Sequence, residues 1–177
     1  MVQDNLCDEV WMIPCGKRED KIIESSPIQR FEMTKLAIDD YFIETFPVIV
    51  NDYEIKNGYK YSFDLLEELK LTYKNFSFYF IFGSDLIKSI HTWQKGKELL
   101  NSCSFIIFER PQYPIKEIMK GEYMLKNFII SNNPEKLMDI SSTVVRNRYK
   151  KMKNPHSIIG YVTKSVALYI DSKKLYL

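Results

Sequence analysis

The apolar residues of this chain gather into short unbroken runs rather than alternating ones, and that pattern limits the folds open to it. Val10-Trp11-Met12-Ile13 ends at Pro14, and Phe46 to Val50 is apolar and β-branched. Phe76 to Phe82 is the most hydrophobic run, bounded by Asn75 and Gly83, and reads as a central strand. Ser104 to Phe108 and Phe128 to Ile130 are two more. Between them lie stretches with helical spacing: 27–42 with Pro27 in the first turn, 61–73, 85 to about 101 with an interruption near Trp93 and Gly96, 142–153 and 161–172. A strand that is apolar along its whole length is buried on both faces, and strands joined through helices pair in parallel. The chain therefore reads as α/β, a doubly wound parallel sheet. Its 177 residues suffice for one well-buried core and are too few for two ordinary domains, so a single domain over 1–177 is expected.

Composition removes several classes of function. A formal net charge of +2 gives no general electrostatic case for nucleic acid or an acidic membrane. No run approaches the length of a transmembrane helix, and Met1 to Glu9 has no apolar signal core. The cysteines (Cys7, Cys15, Cys103) are odd in number and form no CxxC pair, and the two histidines, His91 and His156, lie far apart. Neither a disulfide framework nor a metal site held by the protein is indicated. A soluble, reducing, cytoplasmic setting is the expectation; assembly into a homo-oligomer is left open.

Parallel α/β sheets bind ligands outside the carboxyl ends of their strands, so the strand ends carry the functional reading. After the first strand comes Pro14-Cys15-Gly16-Lys17-Arg18-Glu19-Asp20-Lys21, whose three cations suit a phosphate or ordinary solvated surface. After the central strand comes Gly83-Ser84-Asp85: glycine admits close approach to the backbone, and Asp85 can accept from a ribose or cap the next helix. Trp93 can stack on a flat ring or fill a core. Glu109-Arg110-Pro111 adds a cation at the next strand end. Finally, Ile140-Ser141-Ser142-Thr143 opens a basic amphipathic stretch, with Arg146 one turn on. Hydroxyls and unpaired amides at a helix start suit an anionic phosphate, and Arg146, on the face of Thr143, can clamp it. An ordinary N-cap beside a solvated arginine fits the same residues.

Taken in order, these pieces resemble the nicotinate/nicotinamide mononucleotide adenylyltransferases, in their bacterial-type nicotinate-mononucleotide branch. Val10 to Pro14 is similar to the family's second strand, and Lys21 falls where a Pro-His-Lys loop places its phosphate-binding lysine, with Glu19 and Asp20 replacing Pro-His. Arg30, Met33 and Ala37 fit an Arg-x-x-Met-x-x-x-Ala helix. Lys60-Tyr61-Ser62-Phe63-Asp64-Leu65-Leu66 resembles Ser-Tyr-Thr-x-Asp-Thr-Leu, with Lys, Ser and Leu in place of Ser, Thr and Thr. Gly83-Ser84-Asp85 matches Gly-x-Asp with Trp93 at the expected separation, Arg110-Pro111 matches the family's Arg-Pro, and Ile140 to Thr143 with Arg146 matches Ile-Ser-Ser-Thr-x-x-Arg. Tyr169-Ile170 and Leu175-Tyr176 agree with its ending.

One departure is large. The family opens with a strand and a Gly-Gly-Ser/Thr-Phe-Asp-Pro-x-His-x-x-His segment whose histidines bind ATP phosphates, and this chain begins where the family's first helix is ending. The fold is accordingly expected to be N-terminally incomplete, with unpaired backbone beside the central apolar strand. Met1 is expected to be an internal methionine, with the natural product starting upstream.

The resemblance implies transfer of AMP from ATP to a pyridine mononucleotide, giving the dinucleotide and pyrophosphate in NAD biosynthesis. It assigns ATP phosphates to Ser142, Thr143 and Arg146, with Thr143 and Arg146 catalytic. Adenosine falls to Gly83, Asp85 and the backbone around Ile140 and Ser141. Trp93 stacks on the pyridine, Tyr61 and Ser62 lie near its carboxylate or amide, and Lys21 and Arg110 bind the mononucleotide. Mg²⁺ travels with ATP. Two other readings remain: a related nucleotidyltransferase of the pantetheine-phosphate adenylyltransferase or cytidylyltransferase type, and a non-catalytic remnant that binds a nucleotide or a partner protein.

Overall fold

The computed structural model describes residues 2, 5–18, 22–42, 46–110, 112–118, 127–131 and 140–177. They fall into two compact units, one of Met1–Tyr59 with Ile140–Leu177 and one of Lys60–Asp139. Every strand pairing is parallel, as the unbroken apolar runs require.

The first unit carries β1 (Val10–Met12) and β2 (Val48–Val50), paired in register Val10 to Val48, with α1 (Pro27–Tyr41), α2 (Tyr53–Asn57), α6 (Ser142–Met152) and α7 (Lys164–Ser172). Helix α1 starts where Pro27 suggests. The Ser26 hydroxyl accepts from the Gln29 amide at 3.2 Å, and the Gln29 side chain accepts from the Ser26 amide at 2.8 Å, a closed capping box. Its inner face, Met33, Leu36 and Ala37, packs on a core of Val145, Tyr149, Ile158, Val166, Ala167, Ile170 and Leu175. The first turn of α7 is fixed to the last turn of α1: both Asp40 carboxylate oxygens accept from Ser165, one from its hydroxyl at 2.7 Å and one from its amide at 3.0 Å. That charge-assisted pairing holds the Asp40 carboxyl below its ordinary range.

The second unit holds α3 (Ser62–Thr72), β3 (Tyr79–Gly83), α4 (Gly96–Ser102), β4 (Ser104–Phe108), α5 (Ile115–Ile118) and β5 (Phe128–Ser131). The strand order is β3-β4-β5. The run read as central is thus at the edge of this sheet: among the described residues β3 pairs with β4 alone. Strand β4 takes the middle, and Phe105, Ile106 and Ile107 are 0% exposed, burying side chains on both faces. One face packs on Leu66, Phe82, Ile87, Ile90, Leu99 and Ile115.

Element boundaries move for local reasons. β3 starts at Tyr79 and not Phe76, because Phe76 closes a turn onto the Tyr73 carbonyl at 3.0 Å and stacks on Phe78 at 6.0 Å. The helix expected over 85–101 becomes two 3₁₀ turns, Ser84–Leu86 and Ile90–Thr92, followed by α4; the break falls at Trp93 to Lys95, beside the predicted interruption. α7 starts three residues late, because Gly160 takes φ +97° and the Tyr161 and Val162 amides both return to the Ile158 carbonyl. No helix among the described residues is long and apolar enough to cross a membrane.

Candidate active site

On the first unit, α6 begins as its hydroxyl run predicts. Ser141 is the N-cap, with its hydroxyl accepting from the Val144 amide at 3.3 Å. Ser142 and Thr143 follow as exposed first-turn residues, whose amides have no intrahelical acceptor. The Arg146 guanidinium donates to the Thr143 hydroxyl at 3.3 Å and lies 5.9 Å from the centre of the Tyr176 ring. No acidic side chain occupies the first turn. The helix therefore presents a positive dipole end, two hydroxyls and a permanent cation, with no carboxylate in its first turn. Its underside is fixed by Val145 and by Tyr149, 1% exposed, whose phenol donates to Asp171 at 2.8 Å. Ile140 packs partly buried on the same core.

Also on this unit, the loop after β1 is braced from two sides. The Glu54 carboxylate, buried on α2, accepts from the Gly16 amide at 2.7 Å. The Arg30 guanidinium reaches back from α1 to the Gly16 carbonyl at 2.7 Å, the Cys15 carbonyl at 2.6 Å and the Ser25 carbonyl. A side chain at residue 16 would meet the Tyr59 amide nitrogen at 2.7 Å and the Glu54 carbonyl at 2.8 Å, so only glycine fits there. Arg18, from the cationic loop, lies 4.9 Å over the Tyr59 ring. Lys21 lies outside the described residues.

On the second unit, the ends of β3 and β4 are joined through one hydroxyl. Ser84 is fully buried; its Oγ donates to the Tyr113 carbonyl at 2.7 Å and accepts from the Arg110 amide at 2.8 Å. The residues on either side, Gly83 and Asp85, share the space above the strand end with Arg110: Asp85 pairs with the Arg110 guanidinium at 3.2 Å. A Cβ at residue 83 would sit 2.5 Å from the Asp85 carboxylate and 3.0 Å from Arg110 Nε. Gly83 has an ordinary φ of −83°, so its role is close approach and not turn geometry. Glu109 accepts from the Ile115 amide at 2.8 Å, which ties the same loop to α5.

Further along this unit, Tyr61 is the exposed N-cap of α3 and Ser62 its first helical residue. Trp93 is half-buried, edge-on to Phe80 at 6.4 Å. Lys95, two residues beyond, pairs with Asp64 of α3 at 2.6 Å. The structure thus brings Gly83, Asp85 and Arg110 together on one unit, and Ser141, Ser142, Thr143 and Arg146 together on the other. Four braces were not read as functional from the sequence: Ser84, Lys95, Glu54 and Arg30. Arg30 and Ser84 stand inside quoted motifs, but nothing local signals a partner 15 or 29 residues away. Among the described residues, no group of three or more His, Cys, Asp or Glu side chains could hold a metal ion.

The chain as a whole is similar to known proteins. The family described as cytidylyltransferase-like matches residues 4–148. A Clostridium novyi protein named "Probable nicotinate-nucleotide adenylyltransferase" is 31% identical over 96% of this chain and 84% of its own length. A Fusobacterium nucleatum protein of the same name is 36% identical over 94% and 83%. The chain belongs to the nicotinate-nucleotide adenylyltransferase family. Among solved structures, the Plasmodium falciparum nicotinic acid mononucleotide adenylyltransferase complexed with NaAD superposes with a TM-score of 0.79 at 28% identity, over 95% of this chain and 82% of that one. Within this family, the α/β reading with parallel pairing holds for both units.

Proposed function

We propose that this chain transfers the adenylyl group of ATP to nicotinate or nicotinamide mononucleotide, releasing pyrophosphate and forming the dinucleotide of NAD biosynthesis. The relatives' names favour nicotinate mononucleotide as acceptor. The observation that supports the reading is the α6 N-terminus, where exposed Ser142 and Thr143 stand beside Arg146 with no carboxylate in the first turn.

The mononucleotide's 5′-phosphate attacks the α-phosphorus of ATP in line, the bond to the β,γ-pyrophosphate breaks, and charge builds on the leaving oxygens. The attacking phosphate is already ionised, so no general base is required. Catalysis is alignment and charge neutralisation. In this reading Arg146 and Thr143 act on the leaving phosphates together with Ser142, and the backbone around Ile140 and Ser141 belongs to the adenosine end. Gly83 and Asp85 take the adenosine, Arg110 and Lys21 the mononucleotide, and Trp93 with Tyr61 and Ser62 the pyridine. A divalent cation, which we take to be Mg²⁺ arriving with ATP, would neutralise phosphate charge when bound.

One nucleotidyltransferase domain over 1–177 is part of the same proposal, supported by a family match that runs through both units. So is a cytoplasmic setting, consistent with cysteines that form no disulfide among the described residues. Dinucleotide formation with Mg-ATP and each mononucleotide, read by chromatography, tests the function. Product with a pyridine mononucleotide supports it. Nucleotide binding by a folded sample without turnover on any acceptor would favour the non-catalytic reading.

A further inference from the structure

Two segments of the second unit, Tyr61-Ser62 at the start of α3 and the turn carrying Trp93, are far apart in sequence and joined by one ion pair. The Lys95 ammonium meets the Asp64 carboxylate at 2.6 Å and lies 5.9 Å from the centre of the Phe63 ring. Asp64 sits in the first turn of α3, two residues after Ser62. Lys95 is the N-cap of α4 and holds a left-handed conformation, φ 57° and ψ 28°, which a lysine adopts rarely. The turn around it is tight: the Trp93 amide donates to the Ile90 carbonyl at 3.1 Å, and the Gly96 amide donates to the Trp93 carbonyl at 2.8 Å. A Cβ at residue 96 would lie 2.0 Å from the Ile90 carbonyl oxygen, so the chain must pass there as glycine.

We propose that Asp64 and Lys95 are positioning residues for pyridine recognition: their ion pair fixes the left-handed turn, and through it the orientation of Trp93 relative to Tyr61 and Ser62. The inference rests on the pyridine role given above to those three residues. The pair is unsuited to a purely stabilising role. Lys95 is 42% and Asp64 29% exposed by side chain, and charge pairs that open to water add little to global stability. What such a pair does supply is direction. One end is anchored in a helix whose Leu66 and Leu69 are buried; the other lies two residues from the indole. Loss of either charge leaves Lys95 with no side-chain reason to hold its strained backbone, and the Trp93 turn relaxes.

The test uses the whole chain in a Trp11→Phe background, where Trp93 is the remaining indole. Asp64→Asn and Lys95→Met should each increase acrylamide quenching of Trp93. Each should raise the KM for nicotinate mononucleotide by about threefold or more, while kcat and the KM for ATP stay within about twofold. The exchanged pair Asp64→Lys with Lys95→Asp should bring the mononucleotide KM back below that of either single variant. Quenching unchanged in both single variants overturns the proposal, and needs no turnover to read. A parallel fall in kcat and rise in both KM values also overturns it, since that is general loosening. Trp93→Ala separates this failure from that of the underlying reading. If it leaves the mononucleotide KM unchanged, the pyridine role of Trp93 is wrong, whatever the quenching data say about the turn.

Discussion

The start of α6 and the end of β3 both gather polar groups that the proposed function uses, and they are built in opposite ways. At α6 everything needed is local. Ser141 caps Val144, Thr143 accepts from Arg146, and the helix dipole supplies the rest within two turns. At β3 the groups are consecutive, but what holds them is not. Ser84 is locked by Arg110 and Tyr113, Asp85 by Arg110, and the Trp93 turn by Asp64. A site carried on a helix end can lose a side chain without moving its backbone. A site carried on loops between strands transmits the loss of a brace into the position of residues that touch substrate.

Arg146→Ala tests the helical half most severely. It removes the permanent charge proposed to face the leaving phosphates and leaves the buried anchors Val145 and Tyr149 untouched. Turnover should fall by about a hundredfold, with the thermal midpoint close to that of the parent. Steady-state kinetics beside a melting curve checks both. Unchanged turnover removes Arg146 from the site; a large drop in melting temperature would show that α6 is not the independent platform argued here.

The same contrast decides how much was legible. Parallel pairing, the α6 start, the Pro27 start of α1 and the span of β4 follow from contiguous residues, and each stands where the pattern puts it. The edge position of β3 does not: its apolar run suggests burial on both faces, yet Tyr79 and Ile81 are exposed and the middle place goes to β4. Asp64 was visible as part of a motif, but its partner Lys95 lies 31 residues on, in a left-handed turn that no local rule assigns to lysine. The stretch 85–101 breaks at the interruption expected near Trp93 and Gly96, but its first half forms two 3₁₀ turns in place of a helix. Its apolar spacing is real, yet the close approach of Gly96 to the Ile90 carbonyl forces a tight turn instead.

That approach gives the sharpest test of the loop-built half. Gly96→Ala places a Cβ 2.0 Å from a backbone oxygen, where no side-chain rotation can relieve the clash. It should destabilise the fold by about 2 kcal/mol or more in urea unfolding, far above a surface glycine-to-alanine change. A neutral or stabilising result would mean that the Trp93 turn is not held as described. Trp93→Ala comes next in size. It should raise the KM for the mononucleotide by about tenfold and that for ATP much less. Equal effects on both would make Trp93 a core residue and leave the second unit's contribution to the adenosine end alone.

The smallest effect belongs to the anchor beneath α6. Burial, reinforced by its hydrogen bond to Asp171 and that carboxylate's charge, pushes the Tyr149 phenol up to about 12. The folded chain therefore keeps this proton where the unfolded chain, near pKa 10, has lost it. The stability it contributes is fully present below pH 10 and is lost as pH rises through about 12. Tyr149→Phe should remove that extra alkaline slope while lowering stability at neutral pH by about 1 kcal/mol, the size of one hydrogen bond with no change in packing volume. Urea unfolding at pH 7 and at pH 10.5 to 11 reads both. If parent and variant lose stability with the same slope, the phenol titrates as it would in water and the α6 anchor is open to solvent. If the slope flattens while Arg146-dependent turnover is unaffected, anchor and phosphate site are separable within one helix, and that separability is what sets it apart from the loops around β3.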